Sequence, residues 1–146
     1  MKKGVKVVDI WRFEGHTRME IPLFTAGVSA GFPSPADDFV DRSLDLNEFL
    51  IKHPSATFFV RVDGTSMLGS GIHPGDILIV DRALEPYDNS IVIAVLNGEF
   101  TVKRFHRELN RCYLLPENPD FEPIEIGGDM QLEVWGVVTS VIHKIV

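Results

Sequence analysis

The chain is poor in cysteine, in basic residues and in long apolar runs, and each shortage closes off a class of explanation. One cysteine in 146 residues, Cys112, excludes an internal disulfide framework and fits a reducing, cytoplasmic setting. Its place in a strand-like stretch makes it a buried small hydrophobe rather than a reactive thiol. Lys and Arg number 14 against 21 Asp and Glu, a net charge of −7. That balance disfavours broad nucleic-acid binding, which depends on cations neutralising phosphates. The longest apolar runs, residues 77–80 and 91–96, fall far short of a membrane span. The basic start, Met1-Lys2-Lys3, soon meets Asp9, Arg12 and Glu14, so no signal-peptide core is expected. The five histidines, His16, His53, His73, His106 and His143, show no metal-ligand spacing and no adjacent triad aspartate. They read as surface or packing residues, and neither a metal nor a cofactor is expected.

What is present is one domain's worth of chain, 45% hydrophobic and 24% charged, enough for a real core. Charge is uneven: residues 1–30 hold five Lys/Arg and three Asp/Glu, residues 31–146 nine and eighteen. Such an acidic body with a slightly basic arm suits protein partners, or an arm that folds back. Residues 1–42 contain two short strand-like pieces, 5–8 and 19–21, then the small-residue stretch Thr25-Ala26-Gly27-Val28-Ser29-Ala30-Gly31-Phe32-Pro33-Ser34-Pro35. Two prolines two apart favour extended backbone outside any central strand, and extended small-residue backbone is what a protease binds. Residues 1–42 are therefore an extended N-terminal arm and 43–146 the folded body. Asp45 with Glu48 three residues later forms a capping box, and Leu44 with Phe49 a staple across it, for one helix of about two turns ended by Pro54. So short a helix must be held by packing. From Thr57 onward the pattern is β, with strands over 57–62, 77–80, 91–96, 99–105, 112–115 and 133–142. Asn97-Gly98 is a hairpin signal, and alternation puts Thr101, Lys103 and Phe105 on one face of the following strand.

Two residues could carry chemistry together. Ser66 sits in Asp63-Gly64-Thr65-Ser66-Met67, a tight turn after an apolar strand, where neighbouring amides, with Thr65 and Met67 as support, would seat a nucleophilic Oγ and an oxyanion. Lys103 lies in the apolar run Phe100-Thr101-Val102-Lys103-Arg104-Phe105. An ordinary lysine is a poor base at neutral pH, but burial disfavours the ammonium and lowers its pKa. Taken singly, the serine is more simply a turn former and the lysine a snorkelling strand residue; the pairing favours a nucleophile and its base. The turns at 71–76, with Asp76 as a cap, and at 115–120 read as structural, and Trp135 as core.

In combination, Gly64-Thr65-Ser66-Met67, the run Gly71-Ile72-His73-Pro74-Gly75-Asp76-Ile77-Leu78-Ile79-Val80-Asp81 and Gly98-Glu99-Phe100-Thr101-Val102-Lys103-Arg104 resemble the LexA/UmuD self-cleaving serine peptidases. Ala30-Gly31-Phe32-Pro33-Ser34-Pro35-Ala36-Asp37-Asp38, Asp45-Leu46-Asn47, His53-Pro54-Ser55-Ala56-Thr57 and Trp135-Gly136-Val137-Val138 bring the match closest to UmuD-type members, from about residue 20 onward. The resemblance implies a mainly β fold like the C-terminal domain of that family, Ser66 as nucleophile, Lys103 as general base and Ala30–Gly31 as the scissile bond. Many UmuD-type members carry Cys-Gly at that bond, and Ala26–Gly27 is a decoy four residues earlier. The resemblance also implies a homodimer, cleavage promoted by a RecA–single-stranded DNA filament, and assembly with a UmuC-type Y-family polymerase for translesion synthesis, with LexA-like relatives as further partners. Sequence-specific DNA binding and membrane attachment are not expected. Three other readings compete: a LexA-like or phage-type regulator, disfavoured by the missing helix-turn-helix; a signal-peptidase relative, disfavoured by the missing anchor; and a peptidase-shaped binding domain, in which Ser66→Ala would change nothing.

Overall fold

Asn97 and Gly98 turn the chain with φ of 50° and 85°, the left-handed pair that a two-residue hairpin requires. Pairing runs unbroken from Leu96↔Glu99 to Ile91↔Arg104. The computed structural model describes residues 5–14, 20–24, 40–127 and 130–146, and antiparallel pairings of this kind organise it. The chain divides into two compact units, residues 14–52 and residues 1–13 with 53–146.

In the smaller unit, β2 (Glu20–Phe24) pairs antiparallel with β3 (Val40–Asp45), which leads directly into α1 (Leu46–Leu50). Asp45 caps α1 as expected, but its carboxylate accepts from the Asn47 N–H at 3.0 Å. The packing expected to hold so short a helix does not bury it: no residue of α1 is buried, and Leu46 and Phe49 are largely exposed. A local cap, rather than burial, marks this helix.

In the larger unit eight strands form one sheet: β1 (Lys6–Arg12), β4 (Thr57–Asp63), β5 (Ile77–Asp81), β6 (Ile91–Leu96), β7 (Glu99–Glu108), β8 (Arg111–Leu115), β9 (Ile124–Ile126) and β10 (Leu132–Ile142). Their spatial order is β1-β4-β5-β10-β6-β7-β8-β9, every pairing antiparallel. The mainly β architecture with one short helix agrees with the expectation, as do the six strands read from Thr57 onward. β3 was not foreseen because Val40-Asp41-Arg42-Ser43 alternates weakly, nor β9 because three residues carry no measurable period. The sheet buries both faces. Val60, Val62, Met67, Ile72, Leu78, Val80, Ile93 and Val102 pack with Val5 in one cluster, while Val92, Ala94, Phe105, Leu114 and Val137 form another. Trp135 packs at the margin of the first, edge-on to Phe58 and Phe100. Cys112 is only half-buried, beside the second.

β10 joins the halves of the sheet, and the register shifts between Val134 and Gly136 and again between Val138 and Ser140 concentrate its twist. Gly136 is there for space: a Cβ would lie 2.6 Å from Cγ1 of Val80, a stiff side chain with no exposed surface. Gly136→Ala is therefore expected to lower unfolding free energy by about 1–3 kcal/mol, read from the urea midpoint at unchanged slope.

Candidate active site

β4 ends at Asp63, whose Oδ1 accepts the Gly64 N–H at 2.9 Å. Gly64 turns the chain at φ 104°, a conformation side chains resist. The turn delivers Ser66 and Met67 with no exposed surface. Met67 is a core residue, so its packing anchors the serine one position away. A single 3₁₀ turn, Leu68–Ser70, follows and closes at Gly71 in the left-handed region, with the Ser70 and Ile72 N–H groups both donating to the Met67 carbonyl.

Lys103 occupies the middle of β7, opposite Val92 of β6, and is 7% exposed. Its Nζ donates to Thr101 Oγ1 at 2.8 Å, to the Val102 carbonyl at 3.2 Å and to Ser66 Oγ at 3.3 Å. All three acceptors are uncharged, so desolvation is not offset by a counter-ion, and burial lowers the Lys103 pKa from 10.5 to about 8. An amine in that range is substantially neutral just above neutral pH. Once it loses its proton, the bond to Ser66 can reverse: the Nζ lone pair accepts the serine O–H, the first event of a serine attack. Thr101 shares the lysine's face, as strand alternation anticipates, and holds the amine in position.

The loop at 115–120 does more than turn the chain. The Glu117 N–H donates to the Ser66 carbonyl at 2.7 Å, the Gly69 N–H to the Glu117 carbonyl at 2.6 Å, and Asn118 Nδ2 to the Thr65 carbonyl at 2.9 Å. Arg104 fixes the loop from β7, pairing with the Glu117 carboxylate and donating to Ser70 Oγ at 2.9 Å and to the Asn89 carbonyl at 2.7 Å. Glu117, Asn118 and Arg104 thus hold the serine turn, which the sequence pattern does not signal. For Glu117 and Asn118 the local pattern is a Pro/Asn/Asp loop, shared with most surface turns, and Arg104 is one arginine in a strand.

The second bond to Ser66 Oγ comes from the N–H of Val5, at 3.1 Å. Val5 is buried within the first core cluster, and the strand it opens, β1, is added to the edge of β4 from Lys6↔Asp63 to Arg12↔Phe58. The chain's own N-terminal strand therefore lies at the serine. Ala30, Gly31 and His16 fall outside the described residues. Three histidines pair with aspartates, His53 with Asp81, His106 with Asp88 and His143 with Asp76; among the described residues, the hydrogen-bond partners of Ser66 Oγ are Val5 and Lys103. Asp76 caps its turn as expected, accepting the His73 N–H at 2.8 Å.

Known proteins share this chain's pattern over most of its length. Residues 22–139 match the Peptidase S24-like family. Protein MucA of Salmonella typhimurium is 46% identical over 134 residues, covering 90% of this chain and 91% of its own. Protein SamA of the same species is 49% identical over 123 residues, covering 84% and 85%. LexA repressor 1 of Pseudomonas syringae pv. tomato is 42% identical over 118 residues, or 80% of this chain and 58% of that longer protein. With a matched region that takes in the serine turn, the lysine strand and the loop that holds them, the chain belongs to the Peptidase S24-like family, on the UmuD-like side of the LexA/UmuD group that its motifs resemble.

Proposed function

We propose that this chain is an SOS-response protein that cleaves itself at Ala30–Gly31 through Ser66 and Lys103, the shortened form serving as accessory subunit of an error-prone translesion polymerase. The observation that carries the reading is a buried lysine amine 3.3 Å from a buried serine hydroxyl. Desolvated Lys103 takes the Ser66 proton, and Oγ attacks the Ala30 carbonyl carbon. The developing oxyanion is held by amides of the serine turn, with Thr65 and Met67 supporting it. Collapse of the tetrahedral intermediate breaks the Ala30–Gly31 bond, and the proton held by Lys103 passes to the Gly31 amine. Water then releases residues 1–30 from Ser66. The arm, residues 1–42, is thus substrate to the domain 43–146. Strand addition to β4 supports this reading, since it shows an extended piece of the arm reaching Ser66 by main-chain pairing. Val5 and Ala30 cannot both occupy Oγ, so β1 withdraws before the scissile bond arrives.

A homodimer, a RecA–single-stranded DNA filament as trigger, a UmuC-type polymerase as partner and a cytoplasmic setting follow from the same UmuD-like reading. The match to LexA repressor 1 favours one other reading, a self-cleaving transcriptional regulator. The test is intact-mass analysis of purified protein held at alkaline pH, and at neutral pH with activated RecA. The expected result is loss of residues 1–30, absent in Ser66→Ala. A chain that stays whole in every condition would overturn self-cleavage.

A further inference from the structure

Away from the serine, the antiparallel register of β5 with β10 pairs Ile77 with Ile142 and so brings the residues that flank them, Asp76 and His143, side by side. Asp76 Oδ1 lies 2.6 Å from His143 Nδ1, and His73 Nδ1 lies 3.8 Å from Asp76 Oδ2. One donor atom from each of the three falls within 4.8 Å of the other two. The carboxylate is buried, and its Oδ2 is held by the His73 N–H. The imidazoles are about half exposed, with centroids 4.9 Å apart and planes tilted by 39°.

We propose that His73, Asp76 and His143 form a binding site for a divalent transition-metal cation of the zinc class. Two imidazole nitrogens and one carboxylate oxygen are a borderline-to-hard donor set that suits Zn2+ and leaves the fourth tetrahedral position to water. Bonds of roughly 2.0–2.1 Å place tetrahedral donors about 3.4 Å apart, so the 2.6 Å hydrogen bond between His143 and Asp76 opens by somewhat under about 1 Å as the ion takes its place, while His73 closes in from 3.8 Å. Those movements fall to the two half-exposed rings, while the carboxylate, held by the His73 N–H, stays in place. A hydrogen bond from the backbone orients that carboxylate, as outer-shell partners do in metal sites. Arg61 and Lys144 line a surface hollow together with Asp76 and His143, but Arg61 is occupied by Asp9 and by the Trp11 ring. The bound ion would tie the residue that follows β10 to the turn between β4 and β5. None of the three donors contacts Ser66 or Lys103 in the bonds described above, so the site stands independently of the peptidase reading.

The test is calorimetric titration of the full chain with Zn2+ at pH 7.5, with Tm followed in parallel. The expected result is one equivalent bound, a Tm that rises with Zn2+ concentration, and binding at least about tenfold weaker in His73→Gln and in His143→Gln. Both substituted rings are half-exposed, so these variants keep the fold, whereas Asp76 substitution would remove a turn cap. His53→Gln, at a histidine outside the cluster, should bind as the parent does. Co2+ in place of Zn2+ should give visible ligand-field bands that the His73→Gln/His143→Gln double variant lacks. Absence of Zn2+ binding by the parent chain, or equal affinity in the double variant, would overturn the site.

Discussion

Lys103→Arg is expected to stop release of residues 1–30 at every pH, although it keeps the positive charge and nearly the length of the side chain. A guanidinium does not deprotonate in proteins, so it donates to Ser66 Oγ but never accepts its proton. Loss of a general base costs about 10²–10⁴-fold in rate, which intact mass spectrometry at matched times would resolve. In the parent chain the rate should climb about tenfold per pH unit below the Lys103 pKa of about 8 and level off above it. A rate flat from pH 6 to about pH 9 would remove Lys103 from the role of base. The same burial has a stability consequence of defined sign. The folded pKa lies below the unfolded value, so between pH 8 and 10.5 the unfolded chain holds a proton that the folded chain has lost. Stability from this group therefore increases as pH rises through that window and is lowest below it. Lys103→Met, which removes the charge but keeps the bulk, should raise the urea midpoint at pH 7 and flatten its dependence on pH above 8.

Gly69→Ala is expected to cut self-cleavage about 100-fold while leaving most of the β fold in place. A Cβ at Gly69 would stand 2.6 Å from the Glu117 carbonyl oxygen, with the carbonyl carbon and Glu117 Cβ at 3.3 Å. The obstacle is backbone, so no rotamer change relieves it. The Glu117 N–H is the donor to the Ser66 carbonyl and the Gly69 N–H is the donor to Glu117, so separating these segments moves the serine turn directly. Displacement of a reacting group by about 1 Å is worth roughly this loss. The far-UV spectrum and the strand pairings should persist, because Gly69 lies outside the strands. Cleavage at the parent rate would show that the turn tolerates the shift and that Glu117 does not position Ser66.

Much of the fold was legible because its signals are local. Alternation over 99–105 and the Asn97-Gly98 turn specified the β6–β7 hairpin, and with it the face on which Thr101 and Lys103 meet. Asp45 marked the start of α1 correctly, but Leu46 and Phe49 are largely exposed. A capping signal is local and says nothing of what covers the helix. The loop at 115–120 is the turn that its Pro/Asn/Asp content predicts, yet the Glu117 amide and carbonyl and the Asn118 side chain grip the serine turn at Ser66, Gly69 and Thr65. Backbone groups carry no residue identity and asparagine is common in any loop, so no sequence pattern could announce those contacts.

By itself, the sequence determined the mainly β class, the serine on a glycine turn and the lysine on an apolar strand, because turn chemistry and period-two burial act over a few neighbouring residues. Tertiary structure alone decided the rest. Ser66 and Lys103 are 37 positions apart, Asp76 and His143 67, and Val5 and Ser66 61. Each approach is set by strand order and register, which come from packing both faces of one sheet. The absence of metal-ligand spacing among the histidines was thus a true property of the chain in one dimension. The pairing of β5 with β10 is what brings His73, Asp76 and His143 together in three.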